Sequence, residues 1–117
     1  MSKKFPQDFE TFYDDLLCEL AKVSSINTMK EKKENRIKLE DRKIFVATGK
    51  STPDFKEIPL KFIKTTYEEL LKNNEVTQKH LSKTLYVKRS AFIICAFFLL
   101  EYVGYDENKN SIKVSNA

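Results

Sequence analysis

The feature that most constrains the fold is the stretch from Ala91 to Leu100, AFIICAFFLL, which contains no charged or hydrogen-bonding polar side chain. A helix that is apolar all round is normally buried on every side. Leaving its large side chains in water would forgo roughly 1.5–3 kcal/mol each. The stretch falls well short of the ~18 apolar residues needed to span a bilayer. We therefore expect a helix from about Lys88 to Val103 whose middle is covered by protein.

Two sources of cover are available, and we expect both to contribute. The first is an N-terminal helix with Asp8 as N-cap. The second is another copy of the chain across a twofold axis, because homodimers are the commonest oligomers. The apolar stripe of the N-terminal helix consists of Phe9, Phe12, Tyr13, Leu16, Leu20 and Val23. The predicted dimer or partner interface consists of Ile93, Ile94, Phe97 and Leu100.

The middle of the chain changes from helical to β periodicity. A polar bridge leads to a segment in which Ile37 and Leu39 alternate with charged residues, and Lys43 to Val46 is a short β-favouring run. This pattern predicts either a small hairpin turning near Glu40 and Asp41 or one longer strand. The residues from 49 to 59 are expected to form a loop.

The last half of the chain predicts two further helices, a turn, the apolar helix and a hairpin. Pro59 suits the first turn of a helix, and Thr77 suits the N-cap of the shorter one that follows. Gly104 is expected to stop the apolar helix. The buried stripe of the first of these helices is predicted at Leu60, Ile63, Tyr67, Leu70 and Leu71. A strand with Ile112 and Val114 is expected to pair with Tyr105.

In this order of elements, residues 58–115 resemble the winged helix-turn-helix DNA-binding superfamily of bacterial regulators. TQKHLSKTLYVKRSAF is similar to the pattern in which Thr-Gln opens the second helix and apolar residues bracket the turn. The positions that carry the resemblance are Thr77, Gln78, Leu81, Ser82, Leu85, Val87 and Phe92. The wing would run from Tyr105 to Val114. Tyr86 departs from the family because a Gly usually stands there in a left-handed conformation, which costs other residues roughly 1 kcal/mol or more. Either the turn has a different shape here, or the core offsets the strain.

Basic side chains cluster where the resemblance implies a DNA-binding surface. Residues 61–90 carry seven basic and three acidic groups within a chain of net charge +4. Arg89 is the candidate for base readout, since Arg is the usual reader of guanine edges, and lysines would neutralise phosphates. The predicted DNA-binding residues are Gln78, Lys79, His80, Lys83, Lys88, Arg89, Ser90, Lys109 and Lys113.

Motifs for catalysis and metal binding are incomplete. VATGKST lacks the first Gly of a P-loop, since Ile44 stands there, and the Pro-Asp of TPDF lacks the second acidic residue of a metal-dependent nuclease. DENKNS lacks the Gly and terminal Glu of an EF-hand. His80, the only histidine, has no Ser or Cys partner recognisable from spacing. Cys18 and Cys95 are expected to be buried free thiols, without a zinc site.

We therefore predict a single α+β, mainly α, domain. It comprises an N-terminal helix and polar bridge (1–35), a β segment and loop (36–57), and a winged helix-turn-helix-like part (58–117). The absence of a signal-peptide core in MSKKFPQDF favours a cytoplasmic location. We expect no cofactor, no membrane and no small-molecule ligand.

The function we expect is sequence-specific binding of double-stranded DNA by a dimer of bacterial or phage-like style, not enzymatic activity. The protein would be a transcriptional regulator or a DNA-targeting module of a mobile-element or defence system. The alternative is a protein–protein interaction or dimerisation module that uses the same fold without DNA. The sequence leaves a third alternative open, a domain excised from a longer enzyme.

Overall fold

The computed structural model describes residues 4–27, 34–48 and 55–114. They form a mixed structure of three α-helices, one short π-helix and two antiparallel sheets. The N-terminal elements are α1 (Phe9–Leu20), β1 (Ser25–Asn27), β2 (Glu34–Glu40), β3 (Lys43–Thr48) and β4 (Lys56–Glu57). The C-terminal elements are α2 (Leu60–Asn73), β5 (Glu75–Thr77), the π-helix (His80–Thr84), α3 (Ser90–Phe98), β6 (Val103–Asp106) and β7 (Ser111–Val114).

Helix α1 begins and packs as its sequence predicts. The Asp8 carboxylate caps it by accepting a hydrogen bond from the Thr11 backbone N–H at 2.9 Å. Val23 lies beyond the end of the helix, where it is only partly buried. The side chains of α1 that are buried are Phe12, Tyr13, Leu16 and Leu20. The apolar stripe therefore faces the core with helical spacing, and the predicted N-terminal helix is confirmed.

The first sheet has the strand order β1-β2-β3-β4. Its central pair is a hairpin, which decides between the two predicted alternatives. The hairpin turns at Asp41 and Arg42, whose φ angles of 51° and 61° are the positive values that a two-residue type I′ turn requires at both central positions. Strand β1 forms where the sequence predicted only a polar bridge. The predicted loop residues from 49 to 54, including the P-loop-like GKST and Asp54, lie outside the described residues.

Helix α2 follows Pro59 directly, as predicted, but its buried stripe differs from the prediction. Leu60 and Leu71 are exposed. Thr66 is fully buried instead. Its hydroxyl tolerates burial because it donates a hydrogen bond to the Phe62 carbonyl at 2.9 Å within the helix. The other buried members are Ile63, Tyr67 and Leu70.

The second sheet has the strand order β5-β7-β6, with all pairs antiparallel. Tyr105 lies opposite Ile112, which confirms the predicted hairpin. Gly104 belongs to strand β6, so it does not stop the preceding helix as predicted. Helix α3 ends earlier, at Phe98, because the chain from Val103 pairs with β7.

Helix α3 is covered by its own chain. Ile93, Ile94, Phe97 and Leu100 are between 0% and 3% exposed. The helix packs against α1, β1, β6 and β7, and the Phe97 ring lies 4.9 Å from the Phe12 ring. The expectation that α1 covers one side is confirmed. The predicted dimer or partner interface at these four residues needs correction, since the two sheets cover the sides that we assigned to a second subunit.

Candidate nucleic-acid interface

A short helical segment and a turn connect β5 to α3. The Thr77 hydroxyl caps the segment by accepting from the His80 backbone N–H at 3.0 Å, as the sequence predicts. Residues 78–84 are helical, and the last five form the π-helix. The turn is fixed to this helix, because the Val87 N–H donates to the Leu81 carbonyl at 2.8 Å and both side chains are buried. We call residues 78–89 the connecting segment.

Two residues in this turn have left-handed backbones. Tyr86 has φ 55° and Arg89 has φ 59°. The turn therefore has the conformation that the resemblance implies, although Tyr86 stands where the family usually has Gly. Arg89 interrupts the helical path, so α3 begins at Ser90 rather than at Lys88. Lys88 and Arg89 consequently extend from a turn before the helix and not from its first turn.

Ser90 is not available as the predicted DNA contact. Its side chain is buried, with the residue only 6% exposed, because α3 begins there and packs into the core from its first residue. This part of the predicted site is wrong.

Four cations of the connecting segment face outward without a carboxylate partner. Lys79, Lys83 and Lys88 are exposed and Arg89 is partly exposed. Within the described residues, no ion pair joins any of the four to an acidic side chain. The sequence explains this, since residues 76–100 contain no Asp or Glu. Their positive charges are therefore not neutralised by nearby side chains.

Three other members of the predicted DNA-binding set lie beside or opposite a carboxylate of their own chain. The His80 Nε2 atom lies 3.3 Å from the Glu69 carboxylate, and the Lys109 Nζ atom lies 3.8 Å from that of Glu75. Lys113 is exposed on β7, directly opposite Glu75. These three side chains contribute less net positive field than the connecting segment does, because a carboxylate stands beside or opposite each of them.

The β6–β7 hairpin is held against the connecting segment by a network that the sequence did not reveal. The Asn110 side-chain amide donates to the Gln78 Oε1 atom at 2.6 Å, and the Tyr105 hydroxyl donates to Asn110 Oδ1 at 2.6 Å. The Gln78 backbone N–H also donates to the Asn110 carbonyl at 3.0 Å. Burial raises the pKa of Tyr105, so this hydroxyl keeps its proton. Gln78 therefore positions the β6–β7 hairpin, and an Asn in a turn was the available sequence signal.

The described residues offer little to catalysis or metal binding. No group of three His, Cys, Asp or Glu side chains within them is placed to hold a metal ion. Cys95 is buried as predicted, but Cys18 is exposed, because it lies on α1 away from the stripe that faces the core. In the three described ranges, no helix combines the length and apolar character needed to cross a bilayer.

Comparisons of the chain with protein-family models, with curated proteins and with solved structures found no match. The geometry of the chain itself is therefore the basis for assigning a function.

Proposed function

We propose that the protein binds double-stranded DNA through a winged helix-turn-helix and acts as a transcriptional regulator or a DNA-targeting module. The order of elements from α2 to β7 supports the proposal: helix, strand, short helix, turn, apolar helix and hairpin. The left-handed conformation of Tyr86 supports it as well, since the resemblance implies that conformation at this turn. The strand β5 adds to the wing, because it pairs with β7.

The observation that carries the proposal is the set of outward cations at Lys79, Lys83, Lys88 and Arg89. A cation that is paired with a carboxylate attracts an anionic ligand only weakly. The four outward cations have no acidic partner in the described chain. A surface of this kind attracts phosphates and releases their condensed counterions, which supplies most of the sequence-independent affinity for DNA. The lysines would neutralise phosphates, and Arg89 would reach a guanine edge.

The alternative of a protein-interaction module loses the surface that we assigned to it. It depended on the apolar side chains of α3, and Ile93, Ile94 and Phe97 are at most 1% exposed within the chain. No second function has a comparable observation in its favour.

The proposal is tested by the salt dependence of binding to a duplex of mixed sequence, measured by fluorescence anisotropy. We expect the logarithm of the affinity to fall linearly with the logarithm of the salt concentration. Lys88→Ala should reduce that slope by about 0.9, the value for one phosphate contact on duplex DNA. Lys43→Ala is the control, because Lys43 is an exposed lysine of the first sheet, away from the connecting segment; it should leave the slope unchanged.

Arg89→Ala separates base readout from phosphate contact. If Arg89 reads a base, this variant should weaken binding to a selected duplex by roughly 1–3 kcal/mol and reduce the preference for it. A wild-type protein that binds no duplex at low salt, or a Lys88→Ala variant that binds as well as wild type with the same slope, contradicts the proposal.

A further inference from the structure

Tyr86 stands out as the most exposed large hydrophobic side chain in the described residues. It is 76% exposed, whereas the next, Leu60, is 49% exposed. Within the described chain, no hydrogen bond and no ring contact holds its side chain. The ring therefore contributes almost nothing to the core.

The backbone at Tyr86 adds a conformational penalty to that lack of packing. Its φ of 55° lies in the left-handed region, where a Cβ atom is too close to the following carbonyl oxygen. Glycine adopts this conformation without the clash, and side chains placed at such positions destabilise the fold. Folding stability alone consequently favours Gly at this position and does not explain a tyrosine.

The backbone from which the ring extends is fixed on both sides of Tyr86. Leu85 donates its N–H to the His80 carbonyl at 3.0 Å, and the buried Val87 donates to the Leu81 carbonyl at 2.8 Å. Tyr86 lies between these two anchors, two residues before Lys88 and three before Arg89. An exposed hydroxyl donor therefore belongs to the same turn as two cations, Lys88 and Arg89.

This combination matches the backbone of duplex DNA. Tyrosine hydroxyls, like Lys and Arg side chains, are among the donors that proteins use for phosphate oxygens. A carboxylate of an acidic peptide could accept the same hydrogen bond, so the choice of DNA over a peptide rests on the proposed function. A phosphate next to one neutralised by Lys88 provides an acceptor for the hydroxyl.

We propose that Tyr86 is a DNA-contact residue, whose hydroxyl donates a hydrogen bond to a phosphate beside those neutralised by Lys88 and Arg89. This inference rests on the proposed function. It adds an uncharged residue, Tyr86, to the DNA contacts proposed for the four outward cations. It also accounts for the left-handed tyrosine, because the strained turn places the hydroxyl on the DNA side. The left-handed backbone of Tyr86 lowers the stability of the free protein, and the contact of its hydroxyl forms only when DNA is bound.

The test measures two quantities for each variant: the urea midpoint of unfolding, and the Kd for a mixed-sequence duplex at low salt. Tyr86→Gly removes the strain and the hydroxyl, so we expect a higher midpoint and about tenfold or weaker binding. Tyr86→Phe keeps the ring and the strain, so we expect an unchanged midpoint and the same loss of affinity. Asn74→Gly is the control, since Asn74 is exposed with φ 65° at the end of α2; its Kd should equal that of wild type.

The outcomes separate this inference from the proposed function. If the wild-type protein does not bind the duplex, the proposed function fails and this inference fails with it. If wild type binds but Tyr86→Gly or Tyr86→Phe binds equally well, the hydroxyl contact is wrong while the proposed function stands. A lower midpoint for Tyr86→Gly, down to a variant that does not fold, would show that Tyr86 supports the fold, which also overturns the inference.

Discussion

In the connecting segment, residues 78–89, three lysines are exposed and two residues have left-handed backbones, whereas seven of the nine residues of the adjoining helix α3 are buried. The two regions are continuous in sequence and opposite in environment. The helix has apolar side chains on every face and packs against α1, the first sheet and the second sheet, with Phe98 as its one exposed residue. The connecting segment contributes few side chains to the core, among them Leu81 and Val87.

This difference separates the residues that hold the fold from those that are free to bind. Burial of apolar area is the main favourable contribution to folding, so α3 should account for a large share of the stability. The outward cations of the connecting segment make no such contribution, and unpaired like charges in one region tend to oppose folding. The comparison therefore predicts large stability effects in α3 and small ones in the segment.

The largest effect is expected for Phe97→Ala. Phe97 is fully buried and its ring packs 4.9 Å from that of Phe12, so the variant removes a contact between α3 and α1 and leaves a cavity. We expect a loss of about 3–5 kcal/mol in the free energy of unfolding, measured by urea denaturation. Phe98→Ala is the control, because the adjacent ring is 42% exposed. Equal losses for the two variants would contradict the burial of α3.

A smaller effect is expected for Tyr102→Phe, at the turn after α3. The Tyr102 hydroxyl donates to an Asp15 carboxylate oxygen at 2.8 Å, and burial followed by this hydrogen bond raises the pKa of Tyr102 well above its ordinary value. The variant should lose about 1–2 kcal/mol at neutral pH, since Asp15 is partly exposed. Tyr86→Phe, which removes an exposed hydroxyl, should lose nothing measurable.

The same pair predicts a pH dependence. Because the folded-state pKa of Tyr102 is raised, its contribution is fully present below the unfolded pKa of about 10 and is lost as pH rises beyond it. The difference between wild type and Tyr102→Phe should therefore shrink above about pH 10. A difference that grows with pH there would reverse the assigned direction. Urea denaturation across this range, on both proteins in parallel, provides the measurement.

Much of the fold followed from local signals in the sequence. The cap at Asp8, the β periodicity around Ile37, and the pairing of Tyr105 with Ile112 each depend on residues close in the chain or on a simple alternation. The burial of α3 was also predictable, since its composition allows no exposed face. Apart from the cover by α1, the elements that pack on α3 were not predictable, because an all-apolar helix carries no information about which element packs on which side.

The candidate site was less predictable, because it depends on contacts between distant residues. Ser90 and Arg89 are adjacent and polar, and only the left-handed backbone of Arg89 explains why one is buried and the other partly exposed. Gln78 appeared free in the sequence, yet it accepts a hydrogen bond from Asn110 in the turn of the β6–β7 hairpin. Carboxylates that are remote in sequence, such as Glu69 beside His80, likewise decide which cations stay available.

Gln78→Ala tests whether this residue belongs with the fold or with the binding surface. Loss of the Asn110 hydrogen bond should lower the free energy of unfolding by about 0.5–1.5 kcal/mol. The slope of DNA affinity against salt should not change, since an uncharged amide displaces no counterion. Gln7→Ala, at an exposed glutamine before α1, is the control and should leave the stability unchanged. An unchanged free energy of unfolding for Gln78→Ala would show that this side chain does not hold the hairpin and belongs to the binding surface.

The smallest effect is expected when two outward cations are removed together. Lys83 and Lys88 are exposed and have no acidic partner in the described residues, so the double variant Lys83→Ala/Lys88→Ala removes charge without removing a contact. We expect the free energy of unfolding to stay within about 0.5 kcal/mol of wild type, with a slight gain at low salt from reduced repulsion. Urea denaturation at low and high salt measures both. A loss above about 1 kcal/mol would show that these lysines stabilise the fold, since surface substitutions without contacts rarely reach that size. The contrast between α3 and the connecting segment would then fail at the residues on which the proposed DNA contact depends.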